Sequence, residues 1–411
     1  MMIHTRSRLI VSALISLSLL LSSPWLLAQD DFHLYIDADR TGARASGIAI
    51  EQGIRVALDE VDNQLAGRNV KLIIRDHHGS SVRSKRHLDE YLKDDKALLV
   101  YSGLHSPPLL NNLGFINENK ILLLDPWAAA GPITRFSKSE NWIFRLSVDD
   151  SKAGTVIVGN ALAEGLKKPY LLLEETGWGK SNLKTMQLAL AEQGLAPVGV
   201  QWFNWNLGET GAKFMLRNIV ASGADSILMV ANAAEGKTFA KAMLALTEKE
   251  RLPLRSHWGI TGGDFAQVIN ASQRKKLDLK FLQTSFSFVS SKGTPFSEKA
   301  FATAKKLYPH TIKSYADIEA PTGFIHAYDL TRLLIAAVNN TEMSGDIFVD
   351  RARLRASMEN IQKPVKGLIK TYEQPFTAFD QTNPDAHEAL GIDDLVMAFY
   401  GEENQIILDE K

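Results

Sequence analysis

The sequence contains no cysteine. A disulfide framework, a thiol nucleophile and a cysteine-linked lipid anchor are therefore excluded. A surplus of charge is also missing, because 46 lysines and arginines nearly balance 47 aspartates and glutamates. A protein that binds nucleic acid through a basic face would carry excess positive charge. We therefore expect no binding to nucleic acid, and stability must come from an apolar core.

The N-terminal residues have the layout of a secretory signal peptide. Arg6 and Arg8 precede a run at residues 9–21 that is apolar apart from serines, and Pro24 follows this run. An uncleaved membrane anchor is the alternative, since the apolar stretch approaches the ~20 residues that a span needs. The serines and the proline favour a signal peptide, which we predict to comprise residues 1–28 and to be removed by cleavage after Ala28. Because a lipid anchor is excluded, the mature chain is expected to be free in a bacterial periplasm.

After the first thirty residues, short apolar runs alternate with helical patterns. Continuous apolar strands separated by helices predict parallel sheets that are covered on both faces. About 380 residues exceed one ordinary core, so two domains are expected. The predicted fold class is α/β, with two doubly wound parallel-sheet lobes. The predicted strands are 32–36, 70–75, 97–101, 121–124, 170–173, 198–203 and 226–230. The predicted helices are 47–65, 81–93, 108–118, 150–165, 180–193, 209–222 and 234–249.

In doubly wound folds, ligands bind at the carboxyl ends of the strands. The loops that follow the predicted strands are therefore the first places to search for a site. These loops are 37–46, 76–80, 102–107, 125–131, 174–179, 231–235 and 259–264.

The motifs in these loops do not indicate catalysis. Residues 174–181 resemble a phosphate-binding loop, but Glu174 stands where that motif needs its first glycine. His77 and His78 suggest a metal, yet neighbours at a strand end point in opposite directions, and a solvated polar loop is the simpler interpretation. No serine elbow or zinc motif is present. We therefore expect no enzyme activity, no metal and no cofactor.

Tryptophan is the unusual feature of these loops. Trp127, Trp178 and Trp258 all lie in or just before them. Packing in the core is one explanation for such residues. An aromatic ring between two glycines, as in Gly177-Trp178-Gly179, has less core to join and is suited to covering a flat or apolar ligand. Both interpretations of Trp178 stay open at the level of sequence.

Several fragments, in order and at matching spacing, resemble one known family. The chain is similar, over nearly all of residues 31–405, to the periplasmic substrate-binding proteins of the branched-chain amino acid (leucine/isoleucine/valine-binding) family of ABC transporters. The fragments are LAGRNVKL at 65–72, LVYSGLHS at 99–106, ILLLDPWAA at 121–129, NWIFRL at 141–146 and GWGKS at 177–181.

The resemblance implies two lobes joined by a hinge of three crossovers. Lobe one would comprise residues 30–146 plus 287–368, and lobe two residues 147–286 plus 369–411. Function would be capture of a small ligand by hinge closure. A membrane permease of an ABC importer would be the partner, and the protein would act as a monomer. A periplasmic sensor that presents its closed form to a membrane receptor or kinase is the alternative. An enzyme on the same fold is disfavoured, because no nucleophile–base pair is present.

The resemblance also implies site residues. His105 and Ser106 match the loop that receives the ligand carboxylate, Trp178 matches the aromatic that covers the ligand, and Ser46 matches a contact from the first helix. Ser102 and Asn232, in two of the loops listed above, complete this set.

Three positions depart from the family pattern. Ala129 replaces a carboxylate-binding threonine, Trp127 replaces a small residue, and Thr261 falls where an acid pairs with the ligand ammonium. A desolvated ammonium needs a carboxylate partner, which Glu235 or Asp264 could supply. An amino acid is therefore not assured as the ligand, and a small polar ligand with a planar or apolar part is expected.

Overall fold

The computed structural model describes residues 31–135, 140–289, 293–380 and 382–409. The predicted signal peptide, residues 1–28, lies outside these ranges. Within them, none of the helices combines the length and apolar character that a membrane crossing requires.

Strands and helices alternate along most of the chain. The strands are β1 Phe32–Ala38, β2 Gln64–Leu65, β3 Arg68–Asp76, β4 Ala97–Ser102, β5 Leu123–Asp125, β6 Ile143–Arg145, β7 Pro169–Glu174, β8 Val200–Phe203, β9 Ser226–Val230, β10 Leu254–Ser256, β11 Leu279–Thr284, β12 Val365–Lys366, β13 Thr371–Tyr372, β14 Leu395–Tyr400 and β15 Ile406–Leu408. The helices are α1 Arg44–Asp59, α2 Ser81–Lys93, α3 Ser106–Glu118, α4 Asp150–Ala163, α5 Gly177–Ala191, α6 Glu209–Ala221, α7 Ala233–Leu244, α8 Phe265–Val268, α9 Ala271–Arg274, α10 Pro295–Leu307, α11 Pro321–Asn339 and α12 Ile347–Met358.

The strands of the described residues form two large sheets. One has the order β2-β3-β1-β4-β5-β6, and its strands are parallel except for β2. The other has the order β15-β14-β11-β10-β9-β7-β8, and it is parallel from β11 to β8. Strands β14 and β15 add an antiparallel edge. We call the part built on the first sheet lobe one and the part built on the second sheet lobe two.

The chain passes between the two lobes three times. It leaves lobe one after β6, returns from β11 to helix α10, and leaves again between β13 and β14. These crossings confirm the predicted fold class of two doubly wound lobes joined by a three-crossover hinge. The exact lobe bounds given above stay a prediction.

Helix α1 shows how far the apolar pattern fixes an element. Ile50, Ile54, Ala57 and Leu58 are buried, as their spacing predicts. The helix nevertheless ends at Asp59, so the predicted end at residue 65 is wrong.

The reason for this early end lies in the next residues. Asp62 and Asn63 have positive φ, which terminates the helix. Gln64 and Leu65 then pair antiparallel with β3 across the turn at Ala66-Gly67, where φ is also positive. The apolar Leu65 therefore belongs to a hairpin, although its spacing continued the helical pattern.

Candidate functional site

The carboxyl ends of the parallel strands meet at a cleft between the lobes. Its outer part has a volume of about 520 Å³ and is lined by Asp39 and Arg44 of lobe one and by Trp205 and Glu235 of lobe two, among others. Its inner part is much narrower and reaches Trp178. Leu104, His105 and Asn232 line both parts, so the two parts lie next to each other.

The structure brings seven of the predicted site residues to this cleft. They are His105, Ser106, Ala129, Trp178, Asn232, Glu235 and Asp264. Their contact with a ligand stays a prediction, but their common location is observed.

Four predicted site residues do not line the cleft. The Ser46 hydroxyl donates to the carbonyl of Ala43 at 2.7 Å, and that of Ser102 donates to Asp125 at 2.8 Å. Thr261 donates to the carbonyl of Trp258 at 2.8 Å. Thr261 also lies 3.2 Å from the hydroxyl of Thr322 on α11 of lobe one. Because these hydroxyls already bond to protein groups away from the cleft, the geometry does not favour a role for them in binding.

Trp127 is the fourth of these residues. It is fully buried and packs with its edge against Trp258, the ring centroids lying 6.0 Å apart. The structure therefore favours core packing for Trp127, and its contact with a ligand stays a prediction.

Trp178 lies in the first turn of α5, so the prediction of a loop through residue 179 is wrong. Thr176 caps the helix by accepting a hydrogen bond from the amide of Gly179. The indole Nε1 of Trp178 donates to Asp150 Oδ1 at 3.2 Å, and Asn182 donates to the same oxygen at 2.8 Å. The ring of Trp178 is thus held in place by Asp150 where it lines the inner cleft.

Glu174, at the end of β7, is a buried carboxylate in the inner cleft. Its Oε2 accepts from the Asn232 amide at 2.8 Å, and its Oε1 accepts from the Thr176 hydroxyl at 3.2 Å. Burial raises the pKa of Glu174 to about 7, and the charge of Glu235 acts in the same direction. The charge of His105 acts in the opposite direction.

Glu235 lies in the first turn of α7, where a carboxylate is favoured by the helix dipole. It is buried, and its Oε1 accepts from the backbone amide of Asn206 at 3.0 Å. This bond also holds the loop that carries Trp205.

A polar and aromatic cluster faces these groups from across the cleft. Asp39 Oδ2 pairs with His105 Nε2 at 3.1 Å. Burial alone raises the pKa of Asp39, but bonds from His105 and from the amides of Gly42 and Thr41 hold it well below its usual range. The ring of Trp205, which belongs to lobe two, lies 5.2 Å from that of His105, so Trp205 bridges the lobes.

The two neighbouring histidines after β3 have different environments. His78 is exposed, as the solvated-loop interpretation predicts. His77 is buried, and its Nδ1 accepts from the amide of Gly79 at 2.9 Å, so that interpretation is wrong for His77. In the described ranges, no group of three or more histidine or acidic side chains is arranged to hold a metal.

Trp205, Asp39 and Glu174 are among the cleft residues that sequence reasoning missed. Trp205 follows the predicted strand 198–203 by two positions, so the rule applied to the other strands would have found it. Asp39 lies in a searched loop but has no distinctive neighbours. Glu174 counted only as a residue that excludes phosphate, because its approach to Asn232 depends on the pairing of β7 with β9.

The fold and the cleft define a class of two-lobed proteins that enclose a small solute between their lobes. The chain belongs to the periplasmic binding protein family, whose sequence model matches residues 36–387.

Solved structures agree with this fold at low sequence identity. A type 1 periplasmic binding protein from Bordetella pertussis is 15% identical, with a TM-score of 0.77 over 92% of this chain and 100% of that one. A leucine binding protein from Thermotoga maritima is 14% identical, with a TM-score of 0.70 over 92% and 98%. An ABC transporter solute-binding protein from R. palustris, in complex with 4-hydroxybenzoate, is 17% identical, with a TM-score of 0.74 over 93% and 96%. No protein with a curated description matches this sequence.

Proposed function

We propose that this protein is the periplasmic solute-binding component of an ABC importer and captures a small polar ligand by hinge closure. The observation that carries the proposal is the cleft of about 520 Å³ lined from both lobes. Asp39 and His105 face it from one lobe, and Asn232 and Glu235 from the other. A ligand that contacts both lobes stabilises the closed form, which a permease can distinguish from the open form.

One comparison and one sequence prediction also support transport. The R. palustris protein that shares this fold is an ABC transporter solute-binding protein. The predicted signal peptide at residues 1–28 would place the chain in the periplasm, where such a protein meets its permease. The flat or apolar part of the ligand would lie beside Trp178 or Trp205.

A thermal-shift screen of the chain from Gln29 onward tests this function. The compounds are amino acids, amides, amines, purines and aromatic acids. A true ligand at 100-fold its dissociation constant is expected to add about 2.7 kcal/mol to the free energy of unfolding. Deleting the gene should then abolish uptake of that compound by the cell. Uptake that continues unchanged would contradict a role in import.

Replacing Trp205 by alanine is expected to weaken ligand binding by about 1–3 kcal/mol, because the ring closes the cleft against His105. The melting temperature of the ligand-free protein should change little, since the side chain is only half buried. Calorimetric titration of the ligand found in the screen measures the first effect.

Phe214→Ala serves as the control for this variant. Phe214 is a large aromatic residue on α6 of the same lobe, is 67% exposed and does not line the cleft. Its removal should leave affinity unchanged. Equal affinity of the Trp205→Ala variant and the wild-type protein would remove Trp205 from the site.

A further inference from the structure

Two buried carboxylates of lobe two face the cleft without a cationic partner. Glu174 is 1% exposed and Glu235 is 6% exposed. Their hydrogen bonds come from neutral groups: the Asn232 amide, the Thr176 hydroxyl and the Asn206 backbone. A buried carboxylate that is ionised and unpaired is costly, so this pair favours an incoming positive charge.

The positive side chains around the cleft do not neutralise this pair. Across the described residues, Lys237 forms its ion pair with Asp264, and His105 forms its pair with Asp39. Arg44 is exposed at the outer part of the cleft. The cleft therefore keeps an excess of negative charge around Glu174, in its inner part, and Glu235, in its outer part, when both acids are ionised.

The opposite wall offers little to an anion. The amides of Trp127 and Ala128 both donate to Asp125 Oδ1, at 3.1 and 2.8 Å. The amide of Ala130 donates to the Ser106 hydroxyl at 3.2 Å. Residue 129, where the family resemblance places a hydroxyl, is an alanine. Because the loop uses these amides internally, a ligand carboxylate would find few donors there.

We infer that the cleft selects a ligand with a basic nitrogen, an amine, amidine or guanidine, held by Glu174 and Glu235. This inference rests on the proposed function and names the class of its ligand. The rings of Trp205 and His105 would lie against the carbon skeleton next to the nitrogen, where an aromatic face also attracts a cation.

The affinity for such a ligand depends on pH. Burial holds the pKa of Glu174 at about 7, so below that pH the side chain is largely protonated in the empty cleft. A cation prefers the ionised form, and its binding releases a proton. The charged groups that face Glu174 are Glu235, from α7, and His105, from lobe one; its other neighbours are Thr176, Trp205 and Asn232. We expect affinity to rise roughly tenfold from pH 6 to pH 8.

Matched pairs of compounds test the inference in the wild-type protein. The pairs are benzamidine with benzoate, 4-hydroxybenzylamine with 4-hydroxybenzoate, and agmatine with glutarate. At pH 8 we expect cations from these pairs to raise the melting temperature. The three carboxylates should leave it unchanged. Binding of the carboxylates without binding of the cations would overturn the inference and leave the proposed function standing. If none of the cations raises the melting temperature, the inference is also wrong. The broader thermal-shift screen then still tests the proposed function.

Three variants locate the charge that is recognised. Glu235→Gln and Glu174→Gln should each weaken binding of the cation at least tenfold, and Glu174→Gln should also remove most of the pH dependence. Glu175→Gln is the control, because Glu175 is the next residue, is exposed and does not line the cleft. A cation whose affinity is unchanged in both cleft variants would show that the inference is wrong.

Discussion

Replacing Arg145 by leucine is expected to lower the free energy of unfolding by about 3–5 kcal/mol, since it removes the guanidinium that pairs with the buried carboxylates of Glu388 and Asp149. Arg145 ends β6 at the first crossing between the lobes and is fully buried. Its Nη2 donates to Glu388 Oε1 at 2.6 Å and lies 3.2 Å from Asp149 Oδ1. Its Nη1 donates to the carbonyls of Ala128 and Ala130 at 3.2 and 2.9 Å.

The ion pair of Arg145 and Glu388 joins distant parts of the hinge. The backbone repeats this connection, because the amide of Arg145 donates to the carbonyl of His387 at 2.9 Å. The amide of Ala389 donates back to the carbonyl of Arg145 at 3.0 Å. Losing the guanidinium therefore weakens the attachment of the third crossing to the first.

The pH dependence of this loss identifies its cause. Burial alone raises the pKa of Asp149, but Arg145 and Arg135 lower it to about 2. In the wild-type protein this carboxylate stabilises the fold above its unfolded pKa, and the contribution is lost as pH falls through about 2. In the variant, the carboxylates that lose Arg145 are less costly when protonated. The difference in the free energy of unfolding between wild type and Arg145→Leu should therefore become smaller as pH falls from 7 towards 4.

Urea unfolding followed by tryptophan fluorescence measures this effect. Arg145→Leu combined with Glu388→Leu should recover part of the lost stability, because the pair is then replaced by apolar groups. Lys275→Met is the control, since Lys275 is 67% exposed in its ion pair with Glu402, and little change is expected. Equal stability of Arg145→Leu and wild type would show that the hinge does not depend on this charge.

The elements that sequence predicted well carry strong local signals. Helix α2 has the predicted bounds, with Ser80 as its capping residue. Strand β9 also has the predicted bounds, because a continuous run of buried residues admits few alternatives. Both outcomes depend on residues close together in the chain.

The parts of the site that sequence could not predict depend on distant contacts. Asp150 receives the indole of Trp178 from 28 positions away, and Asn232 reaches Glu174 across 58 positions. Neither hydrophobic periodicity nor helix-capping residues in the sequence can predict hydrogen bonds between such distant positions. The glycine-flanked Trp178 therefore indicated a ring with little core to join, whereas the structure shows it bonded to Asp150.

The two glycines beside Trp178 are expected to respond differently to alanine. A Cβ at Gly179 would lie 1.9 Å from the carbonyl oxygen of Glu174, so the backbone of lobe two itself would have to shift. A Cβ at Gly177 would lie 2.6 Å from Leu110 Cδ1, the end of a flexible side chain on lobe one. Gly179→Ala should therefore destabilise the ligand-free protein by about 1–3 kcal/mol, as overpacking does in other cores.

Gly177→Ala should leave the ligand-free stability nearly unchanged, because Leu110 can rotate away or separate when the lobes open. It should instead weaken ligand binding, since the added methyl group opposes closure of lobe two against α3. Urea unfolding without ligand and calorimetric titration with ligand distinguish the two effects. Equal destabilisation by the two variants would show that Gly177 is a packing position within lobe two. Loss of affinity confined to Gly177→Ala would place the closing contact between the lobes at Leu110.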